Sequence, residues 1–221
     1  LSNEVSWLAG HGEYRIDPTW ILNAGAMLEY SSLSAAWLFL PRLSVHYHWD
    51  DQQTLRVAYS TGSRQPTLYE NNGRAIIRGV NVPLTIYGAY ASGGLNPEIN
   101  RSIELGYHWQ PSRFASLDFR LFQERYSDYI GTFYRPAPDL PTMLPGHLVL
   151  DFANDNPITV RGLEAQWDWR NPSGTRLFAS YALTTIDAAG TRFDAGYEDS
   201  APRHGLGLLA SQEFGNGWQA S

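Results

Sequence analysis

The sequence predicts an all-β protein, folded as an antiparallel, up-and-down transmembrane β-barrel, on the strength of three patterns. Apolar and polar residues alternate along several segments, which is typical of strands with one apolar and one polar face. The connections between these segments alternate between short and long. Aromatic residues make up 14% of the 221 residues and gather towards the segment ends, as the aromatic girdles of a membrane barrel do.

The alternating segments follow one another along most of the chain. Residues 20–30 alternate least strictly, because Ile21 and Met27 interrupt the polar face. In residues 42–49, Leu, Val, Tyr and Trp alternate with Arg, Ser and His. The same alternation recurs in residues 55–60, 102–109, 114–121 and 163–169. We therefore expect about nine or ten strands of about ten residues each.

Connection length distinguishes the two edges of the predicted sheet. Neighbouring antiparallel strands run in opposite directions, so all short connections fall on one edge and all long ones on the other. This arrangement is typical of outer-membrane barrels, and a soluble β-sandwich would rarely adopt it. The short connections lie near residues 17–18, 50–51, 111–113, 171–174 and 215–217. The longer connections span residues 31–36, 64–100, 134–156 and 187–202.

Composition excludes several classes of protein. Cysteine is absent, which excludes disulfides, thiolate metal sites and cysteine nucleophiles. The net charge of −6, with every positive charge on Arg, argues against a nucleic-acid partner. No apolar run of about 18 residues predicts a transmembrane helix, although barrel strands need no such run. The chain opens without a signal peptide and closes within a strand pattern, so we expect a piece of a longer protein.

Several motifs resemble the barrel of TonB-dependent receptors. Residues 59–70 are similar to a Tyr-Ser-x-x-Phe-Arg-x-Pro-Thr-Leu-x-Glu segment of that family, except that Gly62 and Ser63 precede Arg64 in place of an aromatic residue. Residues 95–106 resemble a contracted form of the family's Asn-Pro segment. Further similarities follow in the family's order at residues 126–130, 160–164 and 201–204.

The resemblance implies a barrel of 22 strands, filled by an N-terminal plug and energised through TonB. Residues 1–221 would then form about half of this barrel, without the plug and without the C-terminal closing strand. The implied function is active import across the bacterial outer membrane, with a ferric siderophore or similar metal chelate as ligand. The implied partners are TonB, through the plug, and outer-membrane lipid. Two alternatives stay open: a passive porin-like barrel and a soluble β-sandwich that binds a ligand.

The long connections carry the candidate ligand-binding residues, because aromatic rings and Arg could hold an anionic chelate by stacking and charge. Arg64 precedes the first of these connections. It could bind an anionic ligand or a plug carboxylate, or it could form an architectural ion pair. For the other residues the alternative is packing within the loops. The candidates are Arg64, Tyr69, Arg74, Arg78, Tyr87, Tyr90, Tyr134 and Arg135.

Charged residues of the polar faces are expected to line the lumen and to pair with each other or with the plug. His46 and His48 share a face, but no third ligand lies near them, so we expect lumen lining and no metal site. Ser63, His108 and Asp118 lack the spacing of a catalytic triad, so the sequence predicts neither an enzyme nor a cofactor. The lumen-facing candidates are Arg56, Glu104, Asp118, Arg120 and Glu164.

Overall fold

The structure is a computed structural model that describes residues 2–78, 85–136, 148–188, 190, 196–214 and 217–221. It is built almost entirely of strands. In chain order they are β1 (Val5–Arg15), β2 (Trp20–Ser31), β3 (Ala36–Asp50), β4 (Gln53–Arg64), β5 (Arg74–Arg78), β6 (Thr85–Tyr90), β7 (Glu98–Ser112), β8 (Ala115–Ser127), β9 (Ile130–Pro136), β10 (Leu148–Asn154), β11 (Ile158–Arg170), β12 (Thr175–Asp187), β13 (His204–Phe214) and β14 (Trp218–Ala220).

Ten of these strands form one antiparallel sheet, which we call the barrel sheet. Its order is β1-β2-β3-β4-β7-β8-β11-β12-β13-β14, so strands follow one another as they do along the chain. Among the described strands, only β5, β6, β9 and β10 lie outside this sheet. This order confirms the predicted antiparallel, up-and-down architecture and its number of strands.

The two faces of the barrel sheet differ as the alternation predicts. Val57, Ile103 and Leu105 lie on the apolar face, with 54%, 56% and 43% of their surface exposed. On the polar face, Ser102 and Gly106 of β7 are buried among neighbouring side chains. The apolar face therefore exposes large side chains over adjacent strands, which is a surface suited to lipid rather than water.

The short and long connections lie on opposite edges of the barrel sheet as predicted, except that one predicted long connection is short. Residues 31–36 were expected to form a long connection, but β2 and β3 are joined by a turn of residues 32–35 only. Tyr30 and Trp37 are paired across the two strands beside this turn, with ring centroids 5.0 Å apart. Ala35 closes the turn at a φ of 50°.

The first two long connections fold together as a second sheet, which we call the cap. Its order is β5-β6-β10-β9, so strands from the β4–β7 connection pair with strands from the β8–β11 connection. β6 and β10 are parallel, joined at Ala89 and Leu150. Ala91, Leu95, Ile130 and Phe152 form a small buried core, with Leu150 packed against it. The sequence predicts long connections here but not these strands.

The helices are short and lie in the connections. Helix α1 (Leu68–Asn72) starts the β4–β7 connection, and a 3₁₀ helix (Tyr197–Asp199) lies in the β12–β13 connection. The Tyr197 ring meets that of Tyr129 edge-on at 5.1 Å, which brings this third connection against the second. In the described ranges, no helix has the length and apolar character needed to cross a membrane.

Candidate ligand site in the cap

The base of the cap is held by Arg64, the last residue of β4. Its Nε and Nη2 donate to the two carboxylate oxygens of Glu98, at 2.6 and 2.8 Å. Its Nη1 donates to both oxygens of Glu70, at 3.1 and 3.0 Å. Glu98 also accepts a hydrogen bond from the backbone N–H of Ile130, at 2.7 Å. Because the Arg64 guanidinium already donates hydrogen bonds to two carboxylates, the geometry favours an architectural ion pair over direct ligand contact.

Helix α1 is fixed to the same ion pair by a capping box. The backbone N–H of Thr67 donates to Glu70 at 2.7 Å, and the N–H of Glu70 donates to Thr67 Oγ1 at 3.1 Å. Burial by itself would raise the pKa of Glu70, but the hydrogen bonds from Arg64 and Thr67 outweigh it, so this pKa lies below its ordinary value. The Thr-x-x-Glu spacing is a recognisable sequence signal for this helix start.

A buried carboxylate, Asp151 of β10, joins the two halves of the cap. It is 1% exposed. Its oxygens accept hydrogen bonds from Ser92 N at 2.8 Å and Ser92 Oγ at 2.6 Å, from Arg135 Nε at 2.5 Å, and from Phe152 N at 2.8 Å. Burial alone would raise the pKa of Asp151, but these hydrogen bonds dominate and lower it. Sequence reasoning singled out Arg135 and missed Asp151, since a lone Asp in a strand carries no motif.

A second polar contact between the connections involves Asn154. Its Oδ1 accepts from the backbone N–H of Asn96 at 2.7 Å, and its Nδ2 donates to the carbonyl oxygen of Asn96 at 3.0 Å. The same Nδ2 donates to the carbonyl oxygen of Asp128 at 2.6 Å. One amide side chain thus satisfies backbone groups of both connections, as a further strand would.

A cavity of about 790 Å³ opens on the cap and brings together three of the predicted ligand-binding residues. Arg74 lies with its Cζ 4.7 Å from the centroid of the Tyr90 ring, and Arg135 lies 5.9 Å from the same ring. Arg74 forms no ion pair with any residue that the structure describes, whereas Arg135 is neutralised by Asp151. The cavity therefore carries an excess positive charge beside an aromatic face. Its other polar lining residues are Asn71, Asn72 and Ser92, which carry no sequence signal of their own.

The remaining candidates are not among the described residues that line this cavity. The Tyr69 ring meets the Phe152 ring edge-on at 5.6 Å, so part of its surface serves packing. Tyr134 of β9 is 68% exposed and is not part of the cavity lining. The backbones of Arg78 and Tyr87 belong to β5 and β6, but their side chains lie outside the described part of the structure. Ligand contact by these four residues stays a prediction.

On the polar face of the barrel sheet, four of the five lumen candidates form one ion-pair network. Arg120 donates to Glu104 at 3.1 and 2.8 Å, and to Glu164 at 3.2 Å. Arg56 reaches Glu104 at 3.4 Å. Gly106 makes room between the strands, because a Cβ at this position would lie 3.3 Å from Arg56 Nε.

Asp118, the fifth lumen candidate, accepts a hydrogen bond from His108 on the next strand, with 3.1 Å between Oδ2 and Nδ1. A Ser63-His108-Asp118 triad does not assemble, since Ser63 donates to Glu29 at 3.1 Å near the opposite end of β4. The structure thus brings His and Asp together without the nucleophile.

His46 and His48 each have a polar neighbour on the same face. His46 Nε2 lies 3.3 Å from Ser44 Oγ, and His48 Nδ1 lies 2.9 Å from Thr54 Oγ1. Over the residues that the structure describes, no group of three or more His, Cys, Asp or Glu side chains could hold a metal ion.

Comparison with known proteins identifies the fold. A family model described as "TonB dependent receptor-like, beta-barrel" matches residues 2–221. The chain belongs to this family. In a closed TonB-dependent receptor barrel the polar face would line the lumen and the apolar face would be directed outward. The soluble β-sandwich considered from the sequence is wrong, because ten strands share a single sheet.

Solved structures of this family superpose on nearly the whole chain. The siderophore receptor PirA of Pseudomonas aeruginosa matches with a TM-score of 0.71 and 17% identity, over 97% of this chain and 43% of that one. The ferric enterobactin receptor of the same organism gives 0.73 and 15%, over 97% and 31%. The FrpB iron transporter of Neisseria meningitidis gives 0.65 and 12%, over 97% and 32%. The chain thus spans less than half the length of these receptors. No curated protein matches the sequence.

Proposed function

We propose that this chain forms part of an outer-membrane receptor that captures a ferric siderophore at its cap for TonB-energised import. The observation that carries the proposal is the cavity in which Arg74 lies over Tyr90 without an acidic partner among the described residues. Family membership supports transport through a plugged barrel. The names of similar structures, which include siderophore receptors and an iron transporter, support an iron chelate as the ligand.

The dimensions and chemistry of the cavity fit a small anionic chelate. Its volume of about 790 Å³ lies within the range of small-molecule sites. Arg74 would donate hydrogen bonds to anionic oxygens of the ligand, while the Tyr90 ring would offer a face for stacking. Arg135 is already held by Asp151, so its role would be to fix the shape of the cavity.

Import would then proceed without any bond being made or broken by this chain. The residues of the cap would bind and orient the chelate, and the polar lumen face would line its path once the plug rearranges. Arg56, Glu104, Arg120 and Glu164 would face that plug. We propose no catalytic residue and no resident cofactor.

A passive porin-like barrel is the second candidate, and one observation favours it. Arg120 is paired with three carboxylates of its own sheet, so the lumen network needs no plug group to balance it. Conductance of the full-length receptor in planar bilayers separates the two functions. A plugged receptor should remain closed without TonB, whereas steady open-channel current would favour the porin.

Direct binding tests the proposal in the full-length receptor. The probes are ferric catecholate, hydroxamate and citrate chelates, with cobalamin and a copper chelate for comparison, and the readout is quenching of Trp fluorescence. Arg74→Gln should weaken binding of the preferred ferric chelate about tenfold, the effect of losing one charge-assisted hydrogen bond. Arg113→Gln is the matched control, because Arg113 lies 4.5 Å over the Phe114 ring at the opposite edge.

Growth provides the second readout. A strain that lacks the receptor should regain growth on the preferred iron source when the wild-type gene or the Arg113→Gln variant is restored. If the Arg74→Gln variant bound the chelate as tightly as the wild type, the cavity would be excluded as the capture site. Uptake of cobalamin or copper alone would overturn the choice of an iron chelate.

A further inference from the structure

Three arginines lie together on the apolar face of the barrel sheet, near the edge that carries the cap. Arg101 of β7 is directly opposite Arg125 of β8 in the antiparallel register. Arg161 of β11 is opposite Gln123, two residues from Arg125, which places it diagonally at about 7–8 Å from Arg125. All three side chains are exposed. We call this group the arginine patch.

Contacts within the patch confirm that its members share one face. Arg101 Nη1 donates to Ser127 Oγ at 3.2 Å, and Arg161 Nε donates to Gln123 Oε1 at 2.8 Å. Ser127 and Gln123 alternate with the lumen-facing residues of β8. The guanidinium groups therefore point outward from the barrel, away from the lumen network.

The patch lies just above the apolar surface of the barrel. Leu105, Leu121, Leu163 and Leu183 are opposite one another across four neighbouring strands, one row further from the cap than Arg161 and two rows further than Arg101 and Arg125. Successive rows on one face are about 6.6–6.8 Å apart along a strand. The arginines thus occupy the one or two rows where the apolar band ends, which is the level of the lipid head groups.

The electrostatics of the patch call for an external anion. Like charges directly opposite across a sheet disfavour strand pairing, and Arg101 and Arg125 are such a pair. None of the three arginines forms an ion pair within the described ranges, in contrast to Arg120 of the lumen face. The nearest described acidic side chain on this face is Asp187, which is opposite Thr159 and therefore diagonal to Arg161, but no ion pair joins the two.

We propose that Arg101, Arg125 and Arg161 bind the phosphate group of an outer-leaflet lipid. Guanidinium groups recognise phosphate through paired, charge-assisted hydrogen bonds, and three of them can surround one head group. The acyl chains would lie along the row of leucines beneath. The site rests on the proposed outer-membrane location but not on the identity of the imported ligand.

Lipid retention by the full-length receptor in detergent tests the site. The probes are diphosphoryl lipid A, its fully dephosphorylated form and inorganic phosphate, with native mass spectrometry as the readout. The test variant is Arg101→Gln/Arg125→Gln/Arg161→Gln. The control variant is Arg15→Gln/Arg42→Gln/Arg113→Gln, which makes the same change of charge away from the patch. Heat-modifiable electrophoretic mobility reports whether each barrel has folded.

The wild type and the control variant should retain diphosphoryl lipid A, and the test variant should retain at least about tenfold less. A variant with Lys at the three positions should be intermediate, because it keeps the charge and loses the paired hydrogen bonds. The test variant should fold, since it removes facing like charges. If the test variant does not fold, the Lys variant tests the site instead. Lipid retention by the Lys variant equal to that of the wild type would then contradict recognition by paired guanidinium hydrogen bonds.

Three results would overturn the site. They are equal retention by the folded test variant, equal retention of the dephosphorylated lipid, and displacement of the lipid by millimolar inorganic phosphate. The last result would indicate a site for a free anion. Chelate binding at the cap is measured on the same samples, so failure of the lipid site and failure of the proposed capture function give different results. If the receptor did not fractionate with the outer membrane, both the lipid site and the proposed capture function would be contradicted.

Discussion

The barrel sheet and the cap use the same secondary structure but are held together differently. In the barrel sheet, each strand pairs over most of its length with an antiparallel neighbour. In the cap, β6 and β10 meet at a single parallel pair, Ala89 and Leu150. The cap instead relies on side chains that bind backbone groups of the other connection, chiefly Asp151 and Asn154.

In the barrel sheet, stability is spread over a ladder of backbone hydrogen bonds. The sheet therefore depends little on any single side chain. The cap concentrates its stability in a few buried polar groups beside the candidate ligand cavity. A single substitution should therefore affect the cap strongly and leave the barrel sheet folded.

The largest expected effect is that of Asp151→Ala. This change removes the acceptor for Ser92 and Phe152 and leaves Arg135 without its partner. Loss of one member of a buried charge pair costs about 3–5 kcal/mol. Hydrogen exchange of cap amides in the full-length receptor should rise by the corresponding factor, while barrel-sheet amides remain protected. Asp118→Ala, at an exposed lumen position, is the control, and equal effects of the two changes would contradict the difference between the regions.

Glu98→Gln should have the next largest effect, because Glu98 lies where the two regions meet. It is 7% exposed and binds both Arg64 and the backbone N–H of Ile130. Loss of hydrogen bonds to a charged group costs about 1.5–3 kcal/mol. Exchange should increase both at the start of β7 and at Ile130. A double-mutant cycle with Arg64→Gln should show coupling, and simple additivity would show that the ion pair contributes little.

A glycine pair tests the packing of the barrel sheet itself. A Cβ at Gly162 would lie 2.4 Å from Phe122 Cζ and 2.7 Å from the carbonyl oxygen of Leu183, whereas a Cβ at Gly62 would meet nothing within 4 Å. Gly162→Ala should destabilise the barrel by about 1–3 kcal/mol and Gly62→Ala far less. The measurement is the temperature at which heat-modifiable mobility is lost. Equal temperatures would show that the lumen side of the sheet adjusts freely.

The smallest effect is a dependence of cap stability on pH. The pKa values of Glu70 and Asp151 are lowered from ordinary values of 4.5 and 3.8. A lowered carboxyl pKa adds stability above its unfolded-state value and loses it as the pH falls through the folded-state value. Cap protection, corrected for intrinsic exchange rates, should be constant above about pH 5.5 and fall below about pH 4.5. In the Glu70→Gln/Asp151→Asn variant this decline should be smaller, and an unchanged decline would assign it to other groups.

The sequence by itself determined the barrel sheet. Alternation in segments such as residues 42–49 and 102–109 established both faces, because a period of two places every second side chain on the same face. Connection lengths then established the edges, and the motifs at residues 59–70 and 95–106 indicated the family. The error at residues 31–36 arose because a short turn and a long loop have similar compositions.

Only the tertiary structure decided how the long connections are used. Arg74, Tyr90 and Arg135 were candidates because of their side-chain type, and the structure showed that they share one cavity while Arg64 closes the base of the cap. Asp151 had no sequence signal, since its partner Ser92 lies in the other connection. The arginine patch was equally hidden, because Arg101, Arg125 and Arg161 become neighbours only through strand register. Local patterns fix what depends on neighbours along the chain, whereas contacts between distant segments depend on where the whole fold brings them.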